Sequence, residues 1–136
     1  ERNDIFMNNS ETAAKLIEEA KAAMEFSYSP YSKFKVGAAL LTSDGKVFTG
    51  CNVENSTFGA TNCAERTAVF KAVSEGYKDF AAIAIVGSGG DLTFPCGICR
   101  QVLFEFSPSI TVILQDGDGK ITAYPLTELL PFGFRL

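Results

Sequence analysis

The sequence predicts an α/β protein, a three-layer α/β/α sandwich built around a five-stranded mixed sheet. Helical and strand-like segments alternate along 136 residues in the order α-β-β-α-β-α-β-β. Strands that are separated by helices favour parallel pairing, with the helices covering the faces of the sheet. The other strand pairs are joined by short turns, which adds antiparallel edges. At this length we expect one domain, residues 1–136, in which residues 1–9 are interpreted as a flexible or cloning-derived extension.

The amino-terminal half is predicted to contain one helix and one hairpin. Apolar residues recur at helical spacing from Glu11 to about Phe26, and Ser10 can cap the start of this helix. Pro30 ends the segment. Two strand-like runs then flank the turn at Ser43-Asp44-Gly45, which indicates a hairpin. The two runs are Phe34 to Leu41 and Val47 to about Val53.

The carboxyl-terminal half alternates helices with strands. A second helix is capped by Asn62 or Thr61, and Gly76 suits its end. A third helix is opened by Pro95 and stopped by Pro108. A buried strand, a second hairpin and a short last helix complete the order. The helices are Cys63–Val73, Cys96–Phe106 and about Leu126–Leu130, and the strands are Phe80–Val86, Ile110–Leu114 and Ile121–Tyr124.

Composition limits the classes of function. The net charge is −4, with 12 Lys and Arg against 16 Asp and Glu. An acidic chain has no general attraction to nucleic acid, so we expect a small neutral substrate and no polynucleotide partner. No apolar run approaches the roughly 20 residues that span a bilayer, so no membrane partner is expected. The glycine run Gly87–Gly90 lacks the spacing of a dinucleotide loop.

Three cysteines indicate a metal site. Cys63 and the later pair Cys96 and Cys99 are the candidate ligands, and the chain contains no histidine. Three thiolates fill three corners of a tetrahedral zinc site and leave the fourth for water, which is the catalytic arrangement. All three lie at predicted helix N-termini, where the helix dipole favours thiolate over thiol. We therefore predict one Zn²⁺ per chain.

The cysteines allow other interpretations. The CxxC pair could be a redox pair with an unrelated Cys63, although redox pairs usually lie in a thioredoxin-like context. The fourth cysteine, Cys51, could complete a closed structural site of four thiolates. Cys51 lies on a predicted strand without a CxxC partner, which favours a small buried hydrophobic residue. The absence of a recognisable secretory signal favours metal over disulfides, and hence a cytoplasmic location.

Glu65 is the candidate proton carrier. It lies two residues after Cys63, close enough to reach a metal-bound water without being a ligand. A metal hydroxide beside a carboxylate can hydrolyse a carbon–nitrogen bond. A glutamate in the first turn of a helix is also favoured by the dipole alone, and position does not separate these two interpretations.

Arg66 is predicted from a charge count. Zn²⁺ with three thiolates is a poor activator of water because the cluster is already negative. An arginine that donates to the ligand sulfurs would restore the acidity of the metal, whereas the alternative is a surface ion pair.

Asn52 and Glu54 are candidate sugar ligands. They lie two apart at the end of the second strand and so share a face. An amide and a carboxylate in that position can bind the two hydroxyls of a ribose. The same spacing is therefore compatible with a nucleoside as the small substrate.

Four sequence blocks together resemble the small homotetrameric cytidine deaminases. The blocks are Tyr31–Leu40, Gly50–Asn55, Cys63–Ala68 and Pro95–Gln101. The resemblance extends from about Glu11 to Phe134. It implies zinc-dependent conversion of cytidine and 2′-deoxycytidine to uridine and 2′-deoxyuridine plus ammonia, within pyrimidine salvage. It also implies the three-layer fold that the element order predicts.

The resemblance also implies roles for individual residues. Glu65 would be the proton shuttle, Arg66 would donate to the ligand sulfurs, and Asn52 with Glu54 would hold the 3′-hydroxyl. Phe34 would pack against the pyrimidine, and the backbone of Ala64 would contact the edge of the base. The relatives are homotetramers in which a phenylalanine matching Phe134 covers the substrate of a neighbouring subunit.

Two features qualify the resemblance. The family often has tyrosine where this chain has Phe58, which cannot hydrogen-bond to a sugar. The run Leu129–Phe134 is strongly apolar for a chain terminus and indicates an interface, the alternative being a terminus folded back onto its own core. Two alternatives to the hydrolysis of plain nucleosides remain. The substrate would be a modified cytosine nucleoside such as blasticidin S, or the chain would be a non-catalytic binding domain stabilised by zinc.

Overall fold

The computed structural model describes residues 10–136, and within them no helix is both long and apolar enough to cross a membrane. The interpretation of residues 1–9 concerns a segment outside this range. The elements, in chain order, are α1 (Ser10–Met24), β1 (Val36–Thr42), β2 (Val47–Cys51), a 3-10 turn (Phe58–Ala60), α2 (Ala64–Ser74), β3 (Phe80–Gly87), α3 (Gly97–Phe106), β4 (Thr111–Gln115), β5 (Ile121–Pro125) and α4 (Leu126–Leu129).

The strands form one five-stranded sheet in the order β2-β1-β3-β4-β5. β1 is antiparallel to both of its neighbours, β3 and β4 are parallel, and β5 is antiparallel to β4. The parallel pair is joined through α3, as a crossover requires. β2 and β3 are also joined through a helix and run in the same direction, but β1 lies between them. The predicted mixed sheet is therefore confirmed.

Helices cover both faces of this sheet. On one face α1 buries its apolar stripe against small residues of the central strands. On the other face α2, α3 and α4 pack over a second cluster that includes the larger side chains of β3 and β4. The three-layer α/β/α sandwich predicted from the sequence is confirmed by this arrangement.

The start of α2 differs from the prediction in a way that matters for the site. Cys63 is the N-cap residue, with φ −75° and ψ 156°, rather than Asn62 or Thr61. Asn62 is unavailable because its backbone N–H and carbonyl both pair with Val53, at 2.9 Å each. At α3 the N-cap is Cys96, whose sulfur accepts a hydrogen bond from the Cys99 amide at 3.4 Å. Two thiols therefore occupy helix N-caps.

Two strand glycines allow the helices to approach the sheet closely. A Cβ atom on Gly37 would lie 2.0 Å from the Ala20 carbonyl oxygen in α1, and one on Gly50 would lie 2.5 Å from the Ala64 carbonyl oxygen in α2. Glycine inside a strand often marks such a close approach. Gly50 therefore sets the position of the first turn of α2, which follows Cys63.

Replacing Gly50 by alanine should destabilise the protein, because the new methyl group would collide with backbone atoms of α2. We expect the free energy of unfolding to fall by about 2 kcal/mol, measured by denaturant titration. Gly59→Ala is the matched control, since a Cβ there meets nothing within 4 Å. Equal stability of the two variants would mean that α2 has room to move away.

Candidate active site

Three thiols converge where α2 and α3 begin. The sulfur atoms of Cys63, Cys96 and Cys99 all lie within 4.8 Å of one another, and the Cys63 and Cys96 sulfurs are 3.8 Å apart. A tetrahedral zinc with bonds of about 2.3 Å places its sulfur ligands about 3.8 Å apart. The donor set and its spacing therefore fit zinc, and these three residues could hold it.

Cys51 lies apart from this cluster. It pairs across the sheet with Gly37, which faces α1, so its side chain is on the α1 face. There it lines a separate cavity of about 400 Å³ together with Glu19 of α1 and Phe26, which follows that helix. Among the described residues, the group that could hold a metal does not include Cys51. The geometry gives no support to a closed site of four thiolates.

The cluster favours thiolate at Cys63. A hydrogen bond from Cys99 and the neighbouring Arg66 guanidinium together lower the pKa of Cys63 to about 5, although burial opposes the shift. The pKa of Cys99 is raised, first by that same hydrogen bond to Cys63 and then by its burial. In the metal-free protein the two sulfurs therefore share a proton, which a metal ion would displace.

Arg66 lies against a candidate ligand. Its Nη2 atom donates to the Cys63 sulfur at 3.2 Å. Its Nε atom is buried and has no partner within residues 10–136. The guanidinium is thus held beside the three thiols, and it forms no ion pair with a carboxylate of the described residues.

Glu65 is buried at the start of α2, with only 4% of its surface exposed. Burial, assisted by the charge of Cys63, raises its pKa to about 7, against an opposing backbone hydrogen bond. It lines a cavity of about 230 Å³ that also includes Cys63, Cys96 and Ala64. A carboxyl group whose pKa is near neutrality can both release and accept a proton at physiological pH.

Phe34 and Asn52 line the same cavity. The Phe34 ring rests on the glycine run that begins at the last residue of β3. A Cβ on Gly87 would lie 2.8 Å from its Cζ atom, and one on Gly89 would lie 3.1 Å from its Cε1 atom. The run therefore gives Phe34 room. Sequence reasoning missed this use, and the run of small residues after a buried strand was its signal.

The side chains of Asn52 and Glu54 hold the segment that carries Phe34 by hydrogen bonds to its backbone. The Asn52 Oδ1 atom accepts from the Val36 amide and its Nδ2 atom donates to the Phe34 carbonyl, both at 2.9 Å. The Glu54 carboxylate accepts from the amides of Tyr31 and Ser32 at 2.9 and 3.1 Å, and also from the Ser32 hydroxyl.

These bonds fix the conformation of the segment. The Ser32 hydroxyl bond, with the two amides, lowers the pKa of the Glu54 carboxyl. Between Ser32 and Phe34, Lys33 has φ 62°, in the left-handed region. Glu54 is not among the described residues that line the cavity, whereas Asn52 is.

Phe134 lies outside the cavity of its own chain. Its side chain is 70% exposed, and its carbonyl accepts a hydrogen bond from Gln101 of α3 at 3.2 Å. Phe58 is also exposed, at 79%, and its ring meets Tyr31 edge-on with centroids 6.4 Å apart. Both aromatic rings are thus available to another surface.

Comparison with known proteins gives a consistent result. The family model for the cytidine and deoxycytidylate deaminase zinc-binding region matches residues 10–115. The cytidine deaminase of Sporosarcina psychrophila is 52% identical over 121 residues, covering 88% of this chain and 89% of the relative. That of Halalkalibacterium halodurans is 52% identical over 120 residues, covering 88% and 91%.

Solved structures agree with these relatives. The cytidine deaminase of Burkholderia pseudomallei superposes with a TM-score of 0.84 at 53% identity, covering 89% of this chain and 98% of that one. The cytidine deaminase of Mycobacterium tuberculosis gives a TM-score of 0.78 at 41% identity, covering 90% and 97%.

The geometry predicts which cysteines hold metal. Cys63→Ala, Cys96→Ala and Cys99→Ala should each lose zinc, because two thiols alone leave the tetrahedron half empty. Cys51→Ala should retain about one zinc per chain and serves as the matched control. Elemental analysis of the purified proteins measures the metal. Loss of zinc from Cys51→Ala would contradict the three-thiolate site.

Glu65 should also give the metal-free protein a pH-dependent stability. Its pKa rises from 4.5 to about 7 on folding, so its contribution is complete below pH 4.5 and is lost as the pH rises through 7. The unfolding free energy of metal-free wild type, minus that of metal-free Glu65→Gln, should fall by about 3 kcal/mol across this window. Denaturant titrations at several pH values measure it, and a constant difference would contradict the burial of the charge.

Proposed function

Because the chain belongs to the cytidine and deoxycytidylate deaminase family, we propose that it hydrolyses cytidine and 2′-deoxycytidine to uridine and 2′-deoxyuridine plus ammonia. The observation that carries this proposal is the buried Glu65 beside three converging thiols at one small cavity. We also propose that the chain is a single domain and that it acts in pyrimidine salvage. Its proposed location is the cytoplasm, where the thiols stay reduced.

Zinc held by Cys63, Cys96 and Cys99 would lower the pKa of water toward about 7 and so supply the nucleophile. Glu65 accepts the proton that the attacking water loses and delivers it to ring N3 as the new bond to C4 forms. Glu65 then takes the remaining proton from the C4 hydroxyl and passes it to the amine, so that the C4–N bond breaks as the C4=O bond forms and ammonia leaves. Its pKa of about 7 suits both directions of transfer.

Arg66 keeps this chemistry possible with an all-cysteine ligand set. Its hydrogen bond to the Cys63 sulfur withdraws electron density from the thiolate. Zinc held by these thiolates would therefore carry less effective negative charge and would keep the acidity that activating water near neutral pH requires.

The remaining contacts orient the nucleoside. Phe34 packs against the pyrimidine, and the backbone of Ala64 contacts the edge of the base. Asn52 keeps one Nδ2 hydrogen beyond its bond to Phe34, which suits a sugar hydroxyl. Glu54 joins it at the 3′-hydroxyl, and its carboxylate also holds the Phe34 segment, so sugar and base contacts are built on one support.

The proposed assembly is a homotetramer in which neighbouring subunits complete each site. Its support is the aromatic surface that a single chain leaves exposed, including Phe58, Phe132 and Phe134. Phe134 lies away from its own cavity, so a neighbour's cavity is the one it can cover.

Turnover tests the function directly. The purified protein should deaminate cytidine, measured by loss of ultraviolet absorbance and release of ammonia, and chelation should abolish the reaction. Glu65→Gln should fold and bind zinc while activity falls by at least ~10³-fold, because the amide cannot carry protons. Free cytosine should be a poor substrate.

Other outcomes would separate the alternatives. Turnover of blasticidin S but not cytidine would move the substrate to modified cytosine nucleosides. Zinc binding without turnover of either compound would leave a structural zinc domain. Near-normal activity of Glu65→Gln would remove Glu65 from the mechanism.

Completion of the site by a neighbour can be tested by mixing two inactive variants. A Phe134→Ala subunit keeps its own Glu65 and can receive Phe134 from a Glu65→Ala neighbour. Mixed tetramers should therefore exceed the summed activity of the two separate variants. No recovery in tetramers shown to be mixed, with Phe134→Ala itself impaired, would assign Phe134 to the site of its own subunit.

A further inference from the structure

Arg100 connects two distant parts of the chain. It follows Cys99 on α3, and its Nε atom donates to the Pro95 carbonyl at 2.8 Å while its Nη1 atom donates to the Leu129 carbonyl at 2.6 Å. Pro95 is buried and directly precedes Cys96. Leu129 is the last residue of α4. One guanidinium thus spans from the loop that carries a candidate zinc ligand to the end of a helix.

Both carbonyls need a donor. The last carbonyls of a helix have no partner within the helix, and the Pro95 carbonyl belongs to a buried residue, where an unpaired backbone carbonyl would be costly. The planar guanidinium presents its N–H groups in a fixed fork, so it can satisfy both at once. A lysine ammonium is a single point on a flexible stem and does not reproduce this geometry.

The same helix also holds the chain beyond α4. Gln101 donates to the Phe134 carbonyl at 3.2 Å, and Arg135 donates to the Glu105 carbonyl at 3.1 Å. A Cβ on Gly133 would lie 3.1 Å from the Phe104 ring, so the chain passes close to α3 there. These contacts involve residues that follow Leu129 in the chain, so they can be removed without changing the two hydrogen bonds of Arg100.

We propose that Arg100 is a positioning residue that fixes the Pro95–Cys96 loop against the end of α4 and thereby holds the Cys96 sulfur in register with Cys63 and Cys99. Cys96 is the exposed member of the three thiols. Its neighbours Cys63 and Cys99 are held more deeply, so the loop before Cys96 is where the cluster most needs an external support.

Zinc release tests this role without relying on turnover. Zinc-loaded protein is mixed with excess chromophoric chelator, and the rate of metal transfer is followed at a temperature well below unfolding. Arg100→Gln should release zinc about tenfold faster than wild type, the low end of what outer partners of zinc ligands contribute. Arg100→Lys should behave similarly despite its retained charge, and it serves if Arg100→Gln fails to fold.

Two controls isolate the bond to the loop. Arg135→Gln removes another arginine that donates to a backbone carbonyl, at the far end of α3. Gln101→Ala removes the hydrogen bond to the Phe134 carbonyl but leaves Phe134 and both carbonyl partners of Arg100 in place. Both controls should release zinc within about twofold of wild type, because the Pro95 carbonyl keeps its donor.

The positioning role of Arg100 rests on the proposed deaminase activity, but each can be contradicted by an experiment that leaves the other standing. If the chain deaminates cytidine, folded Arg100 variants should lose kcat with KM little changed, because the substrate contacts remain. Unchanged zinc release in a folded Arg100→Gln would overturn the positioning role, as would equal acceleration in Arg135→Gln. Absence of cytidine turnover in wild type would overturn the proposed function and leave the zinc-release result intact.

Discussion

The structure depends on one constraint: the amino-terminal ends of two helices have to meet at a single point. α2 follows β2 and α3 follows β3, and these strands run in the same direction, so both helices begin at the same edge of the sheet. Helix N-termini concentrate unpaired amides and positive potential, which suits anionic ligands. Thiols at the two N-caps use that potential, and the lack of a side chain at Gly50 lets α2 come close enough for the sulfurs to cluster.

The electrostatics of the site follow from that meeting point. Burial, assisted by the charge of Cys63, moves the pKa of Glu65 toward neutrality, while the hydrogen bond from Cys99 and the Arg66 guanidinium move the pKa of Cys63 down. Arg66 is the compensating charge. Near neutral pH the metal-free cluster is partly ionised, with Cys63 favoured as thiolate and Cys99 as thiol, so opposite pKa shifts occur within one group of contacting side chains.

Much of this architecture could be predicted from local pattern. The order of elements, the mixed sheet and the three converging cysteines all follow from periodicity, turn residues and CxxC spacing, which are properties of neighbouring residues. The helix starts were less accurate, because Asn62 is taken up by pairing with Val53, and that pairing depends on the tertiary fold. The bonds from Arg100 to Leu129 and from Asn52 to Phe34 were missed for the same reason. The periodicity of a sequence does not predict side-chain hydrogen bonds between residues that are far apart in the chain.

The left-handed backbone at Lys33 has a consequence for how tightly a ligand can be held. A non-glycine residue in that conformation costs about 1 kcal/mol or more, and it persists only when its surroundings determine it. Here the carboxylate of Glu54 holds the residues just before it, and Asn52 holds those just after it. The loop's conformational entropy is therefore lost during folding rather than on association. A nucleoside that meets this loop finds it already ordered, and more of its contact energy remains as affinity.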